Sequence, residues 1–167
     1  MKKINKKYPE TYDNFRNDYI KKYLSTQQIQ KNDELTVIVR GHLLVELIVE
    51  VLLKNNFSND KILTDKNFTF FMKIELLYSI GIISKNHFTI LQKLGEIRNK
   101  FAHHVGINLR DILTLNEDFV KSVELVDDRM KKLHIDYKDE PKHLFGLGVY
   151  YILGFLAKGA FIKDFKK

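Results

Sequence analysis

The chain has 167 residues, 44% apolar and 29% charged, the mixture of one soluble domain with its own core rather than a disordered or fibrous chain. It has no cysteine, which excludes a disulfide framework, a thiolate zinc site and a cysteine nucleophile. The net charge of +7 sits at the ends, in a basic N-terminal tail (1–7) and a basic C-terminal tail (163–167), and the body between them is close to neutral. Such tails attract nucleic acid in a salt-sensitive, sequence-blind way, so the overall basicity is weak evidence for an acidic partner.

The periodicity is helical nearly throughout. Tyr8, Tyr12, Phe15, Tyr19 and Tyr23 step by three or four along one face of a first helix, with Pro9 in its first turn. Aromatics at this spacing are read as core rather than as a base-stacking platform. Asn32 or Asp33 can cap a second helix running to about Leu53, apolar on most faces and therefore central. Lys54 to Asn67 is polar and reads as the longest internal loop. Phe68 to Ile80 forms a third helix, which Gly81 stops in a left-handed conformation.

Ser84 can cap a fourth helix with the core stripe His87, Ile90, Leu94, Ile97 and Phe101, and Gly106 follows as a stop. Asn116 caps a fifth, with the stripe Phe119, Val123, Val126, Met130 and Leu133. Pro141 opens a sixth that carries Gly146, Gly148, Gly154 and Gly159. Each of those glycines costs about 1 kcal/mol relative to Ala, so close packing has to compensate. Its uncharged run, Leu144 to Ala157, falls short of the roughly 18–20 residues that span a bilayer and is read as buried. No strand-like alternation appears. The expected fold is all-α, a single-domain helical bundle (1–167) of five to seven helices.

One constellation can carry chemistry. The fourth helix ends Glu96-Ile97-Arg98-Asn99-Lys100-Phe101-Ala102-His103-His104. Ile97 and Phe101 face the core, Asn99 and His103 share another face, and Arg98 lies beside it with the reach to approach the imidazole. Gly95 and Ala102 offer a small-residue seam for another helix, which suggests a helix pair, a two-fold axis between copies being one way to form it. The set suits phosphodiester cleavage. A neutral imidazole moves protons near pH 7, and a guanidinium neutralises charge growing on phosphoryl oxygens. In RNA the 2′-hydroxyl is the nucleophile, so neither a metal nor another cofactor is required.

Arg98-Asn99-x-x-x-His103, near the end of an apolar helix in an all-α domain, resembles the Arg-x(4–6)-His motif of the HEPN superfamily. The resemblance implies a dimeric bundle and a metal-independent endoribonuclease of toxin–antitoxin, defence or RNA-processing systems. Arg98, Asn99 and His103 would be its catalytic residues, and Lys100, His104 and Arg40 its RNA contacts. Val105 stands where some toxin-type members carry a tyrosine two residues after the motif histidine. Arg40-Gly41-His42-Leu43, the run from Phe71 to Ser84 and the stretch from Leu156 to Lys166 are similar to the mannitol-operon-repressor-like (MltR) family. That likeness implies a second reading, a non-catalytic transcriptional regulator acting through a protein partner. No helix-turn-helix with a basic recognition helix is present, so sequence-specific DNA binding is not expected.

The remaining polar groups read more plainly. His42, Glu46 and Glu50 step by four along the second helix and are expected to form a solvated strip, the alternative being a second layer behind Arg98 and His103. His103 and His104 are adjacent and point about 100° apart, so no helical metal chelate is expected. Asp127 and Asp128, flanked by Arg129, Lys131 and Lys132, read as a solvated charge cluster. The N-terminus lacks the apolar core of a signal peptide, so the expected location is cytoplasmic, with no membrane partner.

Overall fold

Side-chain oxygens start most of the helices. Thr11, Ser25, Asp33, Thr69 and Ser84 each have extended backbone and accept the amide three residues ahead. Each satisfies a donor that the first helical turn leaves open. Asp33 makes the tightest of these caps, taking the Thr36 N–H at 2.7 Å and the Thr36 hydroxyl at 2.9 Å. Those bonds lower its carboxyl pKa. A computed structural model describes residues 11–58, 68–104, 106–114, 119, 121 and 141–161.

Helix α1 (12–24) consists of Tyr12–Phe15, a π-turn over Arg16–Ile20 and Lys21–Leu24. Ser25 breaks it and caps α2, Thr26–Lys31, a short helix that the hydrophobic periodicity did not reveal. Then follow α3 (Glu34–Asn56), α4 (Phe70–Ser79) and α5 (Lys85–His103). The last two are α6 (Leu109–Thr114) and α7 (Pro141–Phe161). Every described element is helical, so the fold is an all-α bundle. Gly81 and Gly106 have φ of 74° and 85°, the left-handed geometry that lets the chain leave α4 and turn after α5. The helix expected from Asn116, with Val123 through Leu133, and the Asp127–Asp128 cluster lie outside the described residues apart from Phe119 and Lys121.

The centre of the bundle is the parallel pairing of α3 and α7. At one end the Lys142 ammonium donates to the Asn32 carbonyl at 3.2 Å, and at the other the Asn55 amide donates to the Ala160 carbonyl at 2.6 Å. Between them the helices touch at Gly41, where a Cβ would meet the two Val149 methyls at 3.2 and 3.3 Å and the Phe145 ring at 3.4 Å. Val149 and Phe145 are fully buried, so neither can give way. Gly146 accepts Ile29 of α2 in the space its own Cβ would fill. By length and composition α7 could cross a membrane, yet more than half of its most apolar stretch is buried within the bundle.

The other helices wrap this pair. Phe15 packs on Phe161, and so α1 runs antiparallel to α7. The described part of the aromatic stripe of α1 serves as core, with Phe15 fully buried and Tyr12, Tyr19 and Tyr23 half-buried against it, while Tyr8 and Pro9 lie outside the described residues. Helix α4 runs alongside α3, and α5 returns antiparallel to both. Tyr78 stacks on Phe88 at 5.0 Å, and Gly95 of α5 receives the ring of Phe71 at 2.9 Å from where a Cβ would stand. The small residue at 95 therefore admits another helix closely, as expected, and that helix is α4 of the same chain rather than one across a two-fold axis. Ala102, its expected companion, is exposed.

Two substitutions test this packing. Gly41→Leu should destabilise the fold by about 3 kcal/mol, because overpacking at an immovable crossing forces the helices apart. Gly154→Ala should stabilise it by up to about 1 kcal/mol. Apart from the adjoining backbone of its own helix, no described atom lies within 4 Å of the added methyl there. Urea denaturation of both variants reads the two signs directly.

Candidate functional site

The chemistry-bearing residues lie on the last two turns of α5. Ile97, fully buried, and Phe101, half-buried, anchor those turns. Arg98, His103 and His104 are exposed, while Asn99 and Lys100 are partly covered. The Arg98 guanidinium donates to the Asn99 side-chain oxygen at 3.0 Å, which draws it toward the face that Asn99 shares with His103. Among the described residues no carboxylate forms an ion pair with Arg98 or His103. The C-terminal carbonyls are served instead by His104, whose Nδ1 lies 3.1 Å from the Lys100 carbonyl and must carry the proton to donate there. Cations are favoured at this end of a helix.

Behind Arg98 lies a buried polar cluster rather than the solvated strip expected on α3. Lys73 of α4 is buried, and its ammonium donates to Glu50 at 2.8 Å and to Glu46 at 3.1 Å. Burial opposes its charge, but the two carboxylates outweigh that and hold its pKa above the usual value. His42 is also buried and packs against the Phe70 ring at 4.6 Å between centroids. Its pKa is pushed down to about 4, first by desolvation, with the charges of Arg98 and Lys73 adding to the effect and Glu46 opposing it. Glu46 and Glu50 of the expected strip are half-buried against Lys73, which supplies their counter-charge. That residue was visible in the sequence, but nothing in the periodicity of its own helix marked it as the partner of Glu46 and Glu50.

Arg40 is not brought to this place. Its guanidinium lies over the Tyr23 ring of α1, 5.7 Å from the centroid. Two residues along a helix turn about 200°, so Arg40 and His42 leave α3 on opposite sides. His87, read as core, is core: it stacks on Phe155 at 3.5 Å with Nδ1 2.8 Å from the Ser84 hydroxyl. Burial lowers its pKa, and its buried Nε2 has no hydrogen-bond partner. The neutral tautomer with hydrogen on Nδ1 and a bare Nε2 is the least costly in such a place. Among the described residues no three His, Cys, Asp or Glu side chains converge as a metal site requires.

The cluster makes two measurable demands. Lys73→Met leaves two half-buried carboxylates without their counter-charge and should destabilise the chain by about 2 kcal/mol, less than a fully buried pair because solvent screens them. His42 binds its proton more readily when unfolded, so stability should fall as pH drops from about 6.5 toward about 4, by roughly 3 kcal/mol at the end of that window. His42→Leu should remove that share of the slope in urea titrations across the range, leaving whatever Glu46 and Glu50 contribute. Comparison with known proteins finds no family model, no curated protein and no solved structure that matches this chain.

Proposed function

We propose that the chain is a HEPN-like, metal-independent endoribonuclease acting as a homodimer in a toxin, defence or RNA-processing role. The observation that carries this reading is that Arg98 and His103 stand exposed at the end of α5, tied to no carboxylate among the described residues. A merely structural pair would be engaged with carboxylates or helix-end carbonyls, which is what His104 does.

In the proposed reaction His103 of one protomer takes the proton of the ribose 2′-hydroxyl. The oxygen attacks phosphorus, the P–O5′ bond breaks, and the leaving oxygen takes a proton from the second protomer's imidazole. The products are a 2′,3′-cyclic phosphate and a 5′-hydroxyl. Arg98 neutralises the charge that grows on the non-bridging oxygens, and Asn99 orients its guanidinium. Lys100 and His104 contact the flanking RNA. For the dimer seam, α3 offers Leu35 and Leu43, 49% and 57% exposed, one helical stripe with half-buried Val39 between them. The Leu109 amide donates to the Glu34 carboxylate at 2.8 Å, which ties the start of that stripe to the segment following α5.

The test incubates purified protein with single-stranded RNA in excess EDTA and examines product ends, with molar mass followed by light scattering. Cleavage should leave cyclic phosphate and fall at least about 100-fold in both Arg98→Ala and His103→Ala. A folded dimer that leaves several RNAs intact would sink the proposal and favour an MltR-like regulator working through a protein partner.

A further inference from the structure

On the far side of α7 from α3 and α5, a half-open groove of about 340 Å³ runs between α1, α2 and α7. Its floor is aliphatic, formed by Ile20, Leu24 and Ile29 on one side and Leu147 on the other. Gly146 contributes no side chain, and Ile29 occupies the space a Cβ would take. The rim carries Arg16, Lys21 and His143, and among the described residues no acidic side chain lines the groove. Tyr150, 47% exposed, stands at its mouth.

Two of the rim cations are placed there by a local distortion of α1. In a regular α-helix residues five apart point about 140° away from each other. Here the Lys21 amide reaches back to the Arg16 carbonyl, an i→i+5 bond that closes the π-turn over Arg16–Ile20. The extra residue in the turn sets Lys21 one turn above Arg16 on the same side, and both line the groove. Like charges one turn apart repel. A π-turn is itself less favourable than the α-helix it interrupts, and such turns concentrate at functional sites. An anion held between the two cations relieves the repulsion, and an apolar chain attached to it covers the aliphatic floor.

From this π-turn cation pair above an aliphatic floor, we infer that the groove binds a small amphipathic anion, a single carboxylate or phosphate head on a short hydrocarbon chain. The size suits one such molecule, since pockets that enclose small ligands begin at about 300 Å³. The site is separate from the α5 terminus, so its occupancy is independent of RNA cleavage.

The test titrates the full-length protein with octanoate, octyl phosphate, octan-1-ol and AMP by calorimetry, and maps methyl shifts by NMR. Octanoate or octyl phosphate should bind one to one with a dissociation constant on the order of 1 mM or tighter. Methyl shifts should be confined to Ile20, Leu24, Ile29 and Leu147. The tighter of the two ligands identifies the head group. Octan-1-ol should bind at least about tenfold more weakly, and Arg16→Gln with Lys21→Gln should remove that preference while leaving the melting curve intact. Leu147→Trp fills the floor and should abolish binding. Equal affinity for octanoate and octan-1-ol, or no saturable binding to the folded chain, overturns the inference. Tighter binding of AMP at the same methyls also overturns it and marks the groove as a nucleotide site.

Discussion

The parallel contact between α3 and α7 sets the position of every other helix. Two long apolar helices can lie side by side only where their side chains leave room, and here the room comes from Gly41 at the crossing and Gly146 on the outer flank. The hydrogen bonds at the two ends, from Lys142 to Asn32 and from Asn55 to Ala160, hold the register. With the register held, α2 seats Ile29 against Gly146, Phe161 meets Phe15, and His87 of α5 meets Phe155. Each fully buried Leu, Ile or Phe in this core contributes about 1.5–3 kcal/mol of transfer free energy. Of the α7 glycines, Gly146 is the one whose missing Cβ the packing uses. A Cβ at Gly159 would meet Leu52 at an ordinary 3.5 Å, and Gly148 is buried.

The buried ions are the second organising feature, and they bear on the candidate site. Lys73 with Glu46 and Glu50 carries one net negative charge in a place where water is scarce. His42 adds no charge, because desolvation keeps it neutral at physiological pH. Arg98 is close enough for its charge to weigh on His42, although its guanidinium is bonded only to Asn99. An exposed arginine engaged only by an amide oxygen keeps its charge and has donors left to face outward. That is the condition a phosphate-binding guanidinium has to meet.

Much of this was legible in the sequence because local rules and tertiary packing agree. The caps at Asp33 and Ser84, the left-handed stops at Gly81 and Gly106, and the burial of Ile90, Leu94 and Ile97 all follow from short-range patterns. The π-turn in α1 did not show, because an aromatic stripe stepping by three or four absorbs one extra residue without changing its face. Helix α2 was missed because Thr26–Lys31 buries little beyond Ile29, too few apolar positions to set a period. The Glu46–Lys73–Glu50 cluster was misread for another reason. A carboxylate on a helix face looks solvated until a cation from a different helix is known to cover it, and that pairing is a property of the packed bundle.

Two pairs of residues with the same spacing illustrate how the backbone decides what a spacing means. Arg16 and Lys21 are five apart, and the π-turn aligns them on one side. Arg98 and His103 are also five apart, but α5 is regular there, so their Cβ atoms point about 140° from each other. A single phosphate cannot sit squarely in front of both. The bond from Arg98 to Asn99 narrows the angle by drawing the guanidinium toward the face that bears His103. What remains is most simply closed by a second α5, packed so that the arginine of each chain meets the histidine of the other. The proposed composite site answers this spacing. The angle of about 140° between the two Cβ directions does not aim both groups at one phosphorus atom within a chain, and in the composite site a second helix across a two-fold axis supplies the missing half.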